Sequence, residues 1–174
     1  MTTVKDTYTG KILTATRSGA AREFIPKALA CIGISRGPGR QPKVIVANLS
    51  TRILARFSQY ALEKLPTAGK LKINGEEQYV LVLPPDSSES AIKMVASYMH
   101  KNAAVDYPPP FEAPDNWKLG PLALLLKTTS ILRLKNGSGN GPIRNQILNK
   151  IERFPMTKRE FEALYNIART GVLG

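Results

Sequence analysis

Thr51-Arg-Ile-Leu-Ala-Arg-Phe-Ser-Gln-Tyr-Ala-Leu-Glu-Lys-Leu65, then Gln78-Tyr-Val-Leu-Val-Leu83, then Pro84-Pro-Asp86 and an amphipathic run ending Ser97-Tyr-Met-His-Lys101, is the stretch that decides the fold. Ile53, Leu54, Phe57, Ala61, Leu62 and Leu65 recur at helical spacing, so 51–65 reads as one helical segment, ended by Pro66-Thr-Ala-Gly69. The alternation in 78–83 predicts a strand. Asn74-Gly75, between two alternating runs, predicts a hairpin joining it to 70–73. Asp86 is expected to cap the next helix, with Glu89 completing a capping-box-like pair. Ile92, Val95, Ala96 and Met99 then share one face. That order of elements points to an interaction fold rather than to an active site.

Upstream, Lys43-Val-Ile-Val-Ala-Asn48 is a β-branched run and reads as a buried strand. Ser35-Arg-Gly-Pro-Gly-Arg-Gln-Pro42 is a loop by composition. It would touch a phosphate or an acidic partner, or simply be a solvated connection. No Gly-Lys-Ser/Thr follows it, so it is not a phosphate-cradling loop. Residues 1–16 alternate weakly and suit an edge strand or a loose arm. Ser18 is placed to cap a short helix over 20–25, which Pro26 would end.

Downstream, residues 102–115 form a proline-rich connection, Tyr107-Pro-Pro-Pro-Phe-Glu-Ala-Pro114 at its centre. Such a segment serves as a stiff linker or as a ligand for aromatic grooves, and the linker is the simpler expectation. Trp117 would anchor it to the core. Gly120-Pro121 opens an apolar helix to Leu134, with Asn136-Gly137 as its stop. Pro142 begins a second helix carrying Ile143, Ile147, Leu148 and Ile151 on one stripe. Thr157-Lys-Arg-Glu160 is a capping box for a third, lined by Phe161, Leu164, Tyr165 and Ala168. Helices this short must pack on one another or on the preceding domain.

The 174 residues carry a net charge of +12, unevenly spread: +9 over 1–70, −3 over 71–118 and +6 over 119–174. A basic chain attracts polyanions, so nucleic acid or an acidic protein surface is a reasonable partner. The single cysteine, Cys31, allows no internal disulfide, makes a metal cluster unexpected and suits a reducing compartment. No run has the length of a membrane span, and the first residues lack the apolar core of a signal peptide.

Catalytic constellations are not evident. The only histidine, His100, falls at an expected helix end beside Lys101 and reads as a surface residue. Cys31 sits in the apolar run Ala28-Leu-Ala-Cys-Ile-Gly-Ile34 and reads as a small core residue rather than a nucleophile. The carboxylates show no spacing that suggests acid–base work. No catalytic residue, metal or other cofactor is expected.

The segment Leu49-Ser-Thr-Arg-Ile-Leu-Ala-Arg-Phe-Ser-Gln-Tyr-Ala-Leu62 resembles the first core helices of BTB/POZ domains: a leucine-bearing helix, a serine, then an aromatic position before a second helix, roles Leu54, Ser58 and Tyr60 or Leu62 would take. Tyr79 to Tyr98 is similar to the strand and helix that follow, the latter ending in a tyrosine-containing turn. Leu122 to Tyr165, with its Pro155-Met-Thr start before the last helix, resembles the trailing helices of filamentous-fungal members. The resemblance implies an α+β fold: a BTB/POZ-like helical cluster flanked by a small sheet, with trailing C-terminal helices. It divides the chain into a basic N-terminal arm (1–42), a core (43–101), a proline-rich linker (102–118) and a C-terminal helical extension (119–174).

It further implies a non-catalytic adaptor, nuclear or cytoplasmic, that binds a protein partner or itself as a homodimer within transcription, chromatin or ubiquitin-ligase complexes, with no membrane and no small-molecule substrate. Ile12, Leu13, Phe24 and Ile25 are the expected apolar partner contacts, or else simply core residues. Arg36, Arg40, Lys43, Arg52 and Arg56 are the expected polyanion contacts. The competing expectation is a basic nucleic-acid-binding protein using the N-terminal third. An enzyme built on Cys31 is a distant third.

Overall fold

The computed structural model describes residues 3–6, 11–14, 27–135 and 140–169, the first two stretches as backbone alone. The described residues combine α and β structure, with one four-stranded sheet and six helices. Strands β1 (Thr3–Asp6) and β2 (Lys11–Thr14) form their own antiparallel pair. Strands β3 (Leu29–Ile34), β4 (Lys43–Ser50), β5 (Lys70–Ile73) and β6 (Glu76–Leu83) make the sheet, in the order β4-β3-β6-β5.

The central strand β3 pairs antiparallel with β4 and parallel with β6. Ala30 to Ile34 are all buried, as a strand covered on both faces requires of its sequence. That is why Ala30-Cys-Ile-Gly-Ile34 reads as a continuous apolar run. A division of the chain at residue 42 therefore falls between two strands that are hydrogen-bonded to each other. The short helix expected over 20–25 lies outside the described residues. Gly33 is forced by close approach: a Cβ there would sit 3.1 Å from the Pro42 Cβ and 3.2 Å from the Lys43 carbonyl oxygen. The hairpin joining β5 to β6 turns through Asn74 (φ 51°) and Gly75 (φ 89°), the left-handed pair that a two-residue turn needs.

Residues 51–65 do not form one helix. They divide into α1 (Thr51–Phe57), α2 (Gln59–Lys64) and a 3-10 turn over Leu65–Thr67. The break is at Ser58, which is extended and wholly buried. Its hydroxyl donates to the Leu132 carbonyl (2.5 Å) and accepts the Ala61 N–H (3.0 Å), capping α2. Gln59 N–H donates to Arg133 O (3.1 Å) and Lys135 N–H to Phe57 O (2.9 Å). These partners lie over seventy residues away in sequence, so helical periodicity alone misses the break.

The helix α3 (Glu89–Lys101) begins three residues after Asp86, and its cap is Ser88, whose hydroxyl accepts the Ala91 N–H at 3.4 Å. Asp86 is drawn instead into an ion pair with Lys127. Lys127 belongs to α4 (Leu119–Leu132), an apolar helix whose Leu122, Leu125, Leu126 and Leu132 are entirely buried. A helix apolar on nearly every side belongs in a core, and α4 is packed there by α3, α5 (Asn140–Arg153) and α6 (Lys158–Ala168).

The proline-rich segment lies strapped against this core. Phe111 and Ala113 are buried. The Tyr98 ring stands edge-on to Phe57 at 5.8 Å and tilted to Phe111 at 4.9 Å, while its hydroxyl donates to Pro109 O at 2.6 Å. The Gln146 amide of α5 clasps both backbone groups of Ala113, at 3.0 and 2.8 Å. Trp117 packs on the same cluster, as expected of an anchor. One hydrophobic cluster runs from Ala30 in β3 to Leu164 in α6. The core, the strap and the C-terminal helices therefore share one interior.

Candidate partner-binding groove

Helices α5 and α6 are joined by Phe154-Pro-Met-Thr157, and the capping box expected there is present. The Glu160 carboxylate accepts from Thr157 N–H (3.0 Å) and from its hydroxyl (2.7 Å), while that hydroxyl accepts the Glu160 N–H at 3.3 Å. These hydrogen bonds hold the Glu160 carboxyl below its ordinary range. The cap fixes where α6 starts and hence which way its apolar residues face. Phe161, Leu164 and Tyr165 fall at i, i+3 and i+4, one stripe of the helix.

Only part of that stripe reaches the core. Leu164 is buried, but Phe161 and Tyr165 remain 56% and 55% exposed, their rings stacked at 6.3 Å. On α5, Ile143 and Ile147 are buried while Leu148 is 55% exposed. Between the helices lies an open groove of about 380 Å³, with Ile147 and Leu164 as its floor and Leu148, Ile151, Met156, Phe161 and Tyr165 on its walls. Arg144 is the only charged residue lining it among the described residues. Phe154, at the end of the groove, is 62% exposed. The exposed apolar side chains are thus clustered along one groove rather than scattered singly over the surface.

Ile12 and Leu13 lie on β2, described through its backbone, and Phe24 and Ile25 lie outside the described residues. The α5–α6 stripes were legible as stripes; what periodicity does not reveal is whether a neighbour covers them.

The expected basic contacts do not converge on one patch. Arg36 and Arg40 are exposed on the loop between β3 and β4. Arg52 is exposed on α1, past the far end of the eight-residue β4, roughly 25 Å along the strand. Lys43 is ion-paired with Glu89 across β4 and α3. Arg56 donates to the carbonyl oxygens of Ala103 (2.6 Å) and Val105, and its guanidinium lies 5.4 Å from the Phe57 ring centre. Lys43 and Arg56 thus hold the fold together in addition to carrying charge.

Cys31 is fully buried in β3, and burial pushes its thiol upward, opposite to what a nucleophile needs. His100 is exposed on α3. Among the described residues, no three His, Cys, Asp or Glu side chains are grouped to hold a metal ion, and no helix is long and apolar enough to cross a membrane. A second, larger cleft of about 760 Å³ opens where α4 and α6 begin, lined by Pro121 and Leu124 as well as by Lys118, Lys127, Arg159 and Asn166. Its Asp86 and Glu160 carboxylates are engaged by Lys127 and Thr157. No protein-family model matches the chain, and no curated protein or solved structure matches it.

Proposed function

We propose that this chain is a non-catalytic protein–protein interaction module, an adaptor of BTB/POZ type, working in nuclear transcription, chromatin or ubiquitin-ligase assemblies. The observation that carries the reading is the apolar groove between α5 and α6, exposed at the edge of the shared core. The BTB/POZ attribution draws support from the order of elements. A helix carrying Leu54 ends at Ser58, a second helix follows, then the strand β6, the helix bearing Tyr98 and the trailing helices.

The test is the mass in solution by light scattering, at low and high salt, with and without a short DNA duplex. An adaptor gives a defined monomer or dimer whose mass is indifferent to the duplex at either salt. Duplex binding at low salt that falls away steeply as salt rises would overturn this reading in favour of nucleic-acid binding, since released counterions set that slope. Loss of a measurable activity in Cys31→Ala at unchanged stability would likewise overturn the non-catalytic assignment.

A further inference from the structure

We infer that the α5–α6 groove receives an acidic amphipathic helix from a different protein. This rests on the interaction-module reading and names the chemistry of the partner. The walls of the groove are helices, whose backbone groups are bonded internally, so an extended peptide would find no strand edge to pair with. The occupant must be held by side chains. An amphipathic helix presents apolar residues at i, i+3 or i+4, and i+7, and α6, eleven residues long, spans roughly 16 Å, room for about three turns. Phe161 and Tyr165 offer two stacked rings to such anchors, and aromatic side chains in a desolvated pocket dominate interface energies.

Charge selects the partner. Among the described residues, no carboxylate lines the groove. Arg169 lies one turn beyond Tyr165, its guanidinium 6.0 Å from that ring's centre. Arg153 and Lys158 flank the Phe154–Thr157 turn at the other end. Residues 140–169 hold six Lys/Arg against three Glu, and one of those carboxylates, Glu160, is committed to the cap. An apolar helix edged with Asp or Glu is therefore attracted at both ends. A second copy of this chain would bring arginines against arginines and add the repulsion of two +12 molecules.

Two synthetic peptides of roughly sixteen residues test this, sharing leucines at helical i, i+3, i+7 spacing and differing only in Glu or Lys on the flanks. Each is titrated against the full chain by fluorescence anisotropy at physiological salt. The acidic peptide is expected to bind at least about tenfold more tightly than the basic one. Phe161→Ser combined with Tyr165→Ser should cost the acidic peptide about tenfold or more. Arg169→Glu, at an exposed position where folding is not at stake, should narrow or reverse the preference. Equal binding of the two peptides, or indifference to Arg169→Glu, overturns the inference. A homodimer that dissociates in the Phe161/Tyr165 variant also overturns it, making the occupant a second copy. An authentic protein partner whose binding survives the groove variants would end this assignment and leave the adaptor reading standing; duplex binding would end the adaptor reading itself.

Discussion

Helices α4 and α6 each carry apolar residues at helical spacing, yet they end in opposite surroundings. In α4 the leucines at 122, 125, 126 and 132 are fully buried, enclosed by α3, α5 and α6. In α6 Leu164 alone of the described stripe is buried, and the two aromatics beside it face water. The pattern of a helix says which face is apolar; the number of elements around it decides whether that face closes. In this chain α4 is surrounded first, and α5 and α6 form the outer layer with one face to spare.

Truncations should separate these helices sharply. Leu126→Ala removes packing on every side and is expected to cost about 2–5 kcal/mol, whereas Phe161→Ala, on the open face, should stay within about 0.5 kcal/mol. Urea unfolding of the two variants checks this, and equal losses would mean that the α6 stripe is core after all. Phe111→Ala should resemble the α4 variant, at about 3–5 kcal/mol, because the proline-rich strap is part of the interior; a negligible loss would return it to the role of a linker.

Ser58→Ala comes next. It strips the Leu132 carbonyl and the Ala61 N–H of a buried partner, at a cost of about 1–3 kcal/mol. Hydrogen exchange should speed up in both α2 and the end of α4, since one hydroxyl serves both. Thr157→Ala removes the α6 cap, worth about 1 kcal/mol, and its effect should appear as faster exchange within 158–168 and little change around α4.

The smallest effect is that of acid. Lys43 holds Glu89, and Lys127 holds Asp86, below the ordinary carboxylate range, as Thr157 does for Glu160. Folded values below unfolded ones mean that these contacts stabilise fully above about pH 5, past the ordinary carboxylate values, and are lost as pH falls through the depressed folded values. A melting temperature flat from pH 7 to about 5, declining below about 4, is expected. The groups face water, so the decline should be shallow, and shallower still in the Asp86→Asn, Glu89→Gln double variant.

Local signals in the sequence translate faithfully. The Asn74-Gly75 hairpin and the Thr157–Glu160 capping box are both present, because each is made by residues within three positions of one another. What depends on distant residues was not legible from local pattern. Ser58 interrupts a helical periodicity because its partner is Leu132, and only the family resemblance set a serine between two helices there. Asp86 and Ser88 are both good caps, and Lys127, forty-one residues on, tips the choice to Ser88 by engaging Asp86. Gln78 is a buried polar residue inside an alternating strand. Its amide oxygen accepts the Asn48 N–H at 2.9 Å, its amide nitrogen bonds the Asn48 side chain, and Asn48 sits at φ 59°. Nothing near either residue in sequence signals that pairing. The groove was half legible: its stripes could be read, but not that none of the described residues covers them.

The central strand has a consequence for the order in which the chain acquires structure. β3 meets its antiparallel neighbour β4 soon after it is made, but its parallel neighbour β6 follows about fifty residues later, at Ala30↔Tyr79. At ribosomal speeds of about 5–20 residues per second, that is roughly 2–10 s during which one edge of Ala30-Cys-Ile-Gly-Ile34 has no strand to pair with. The strand that ends up the most protected in the molecule is thus the one that waits longest beside other nascent chains with an open apolar edge.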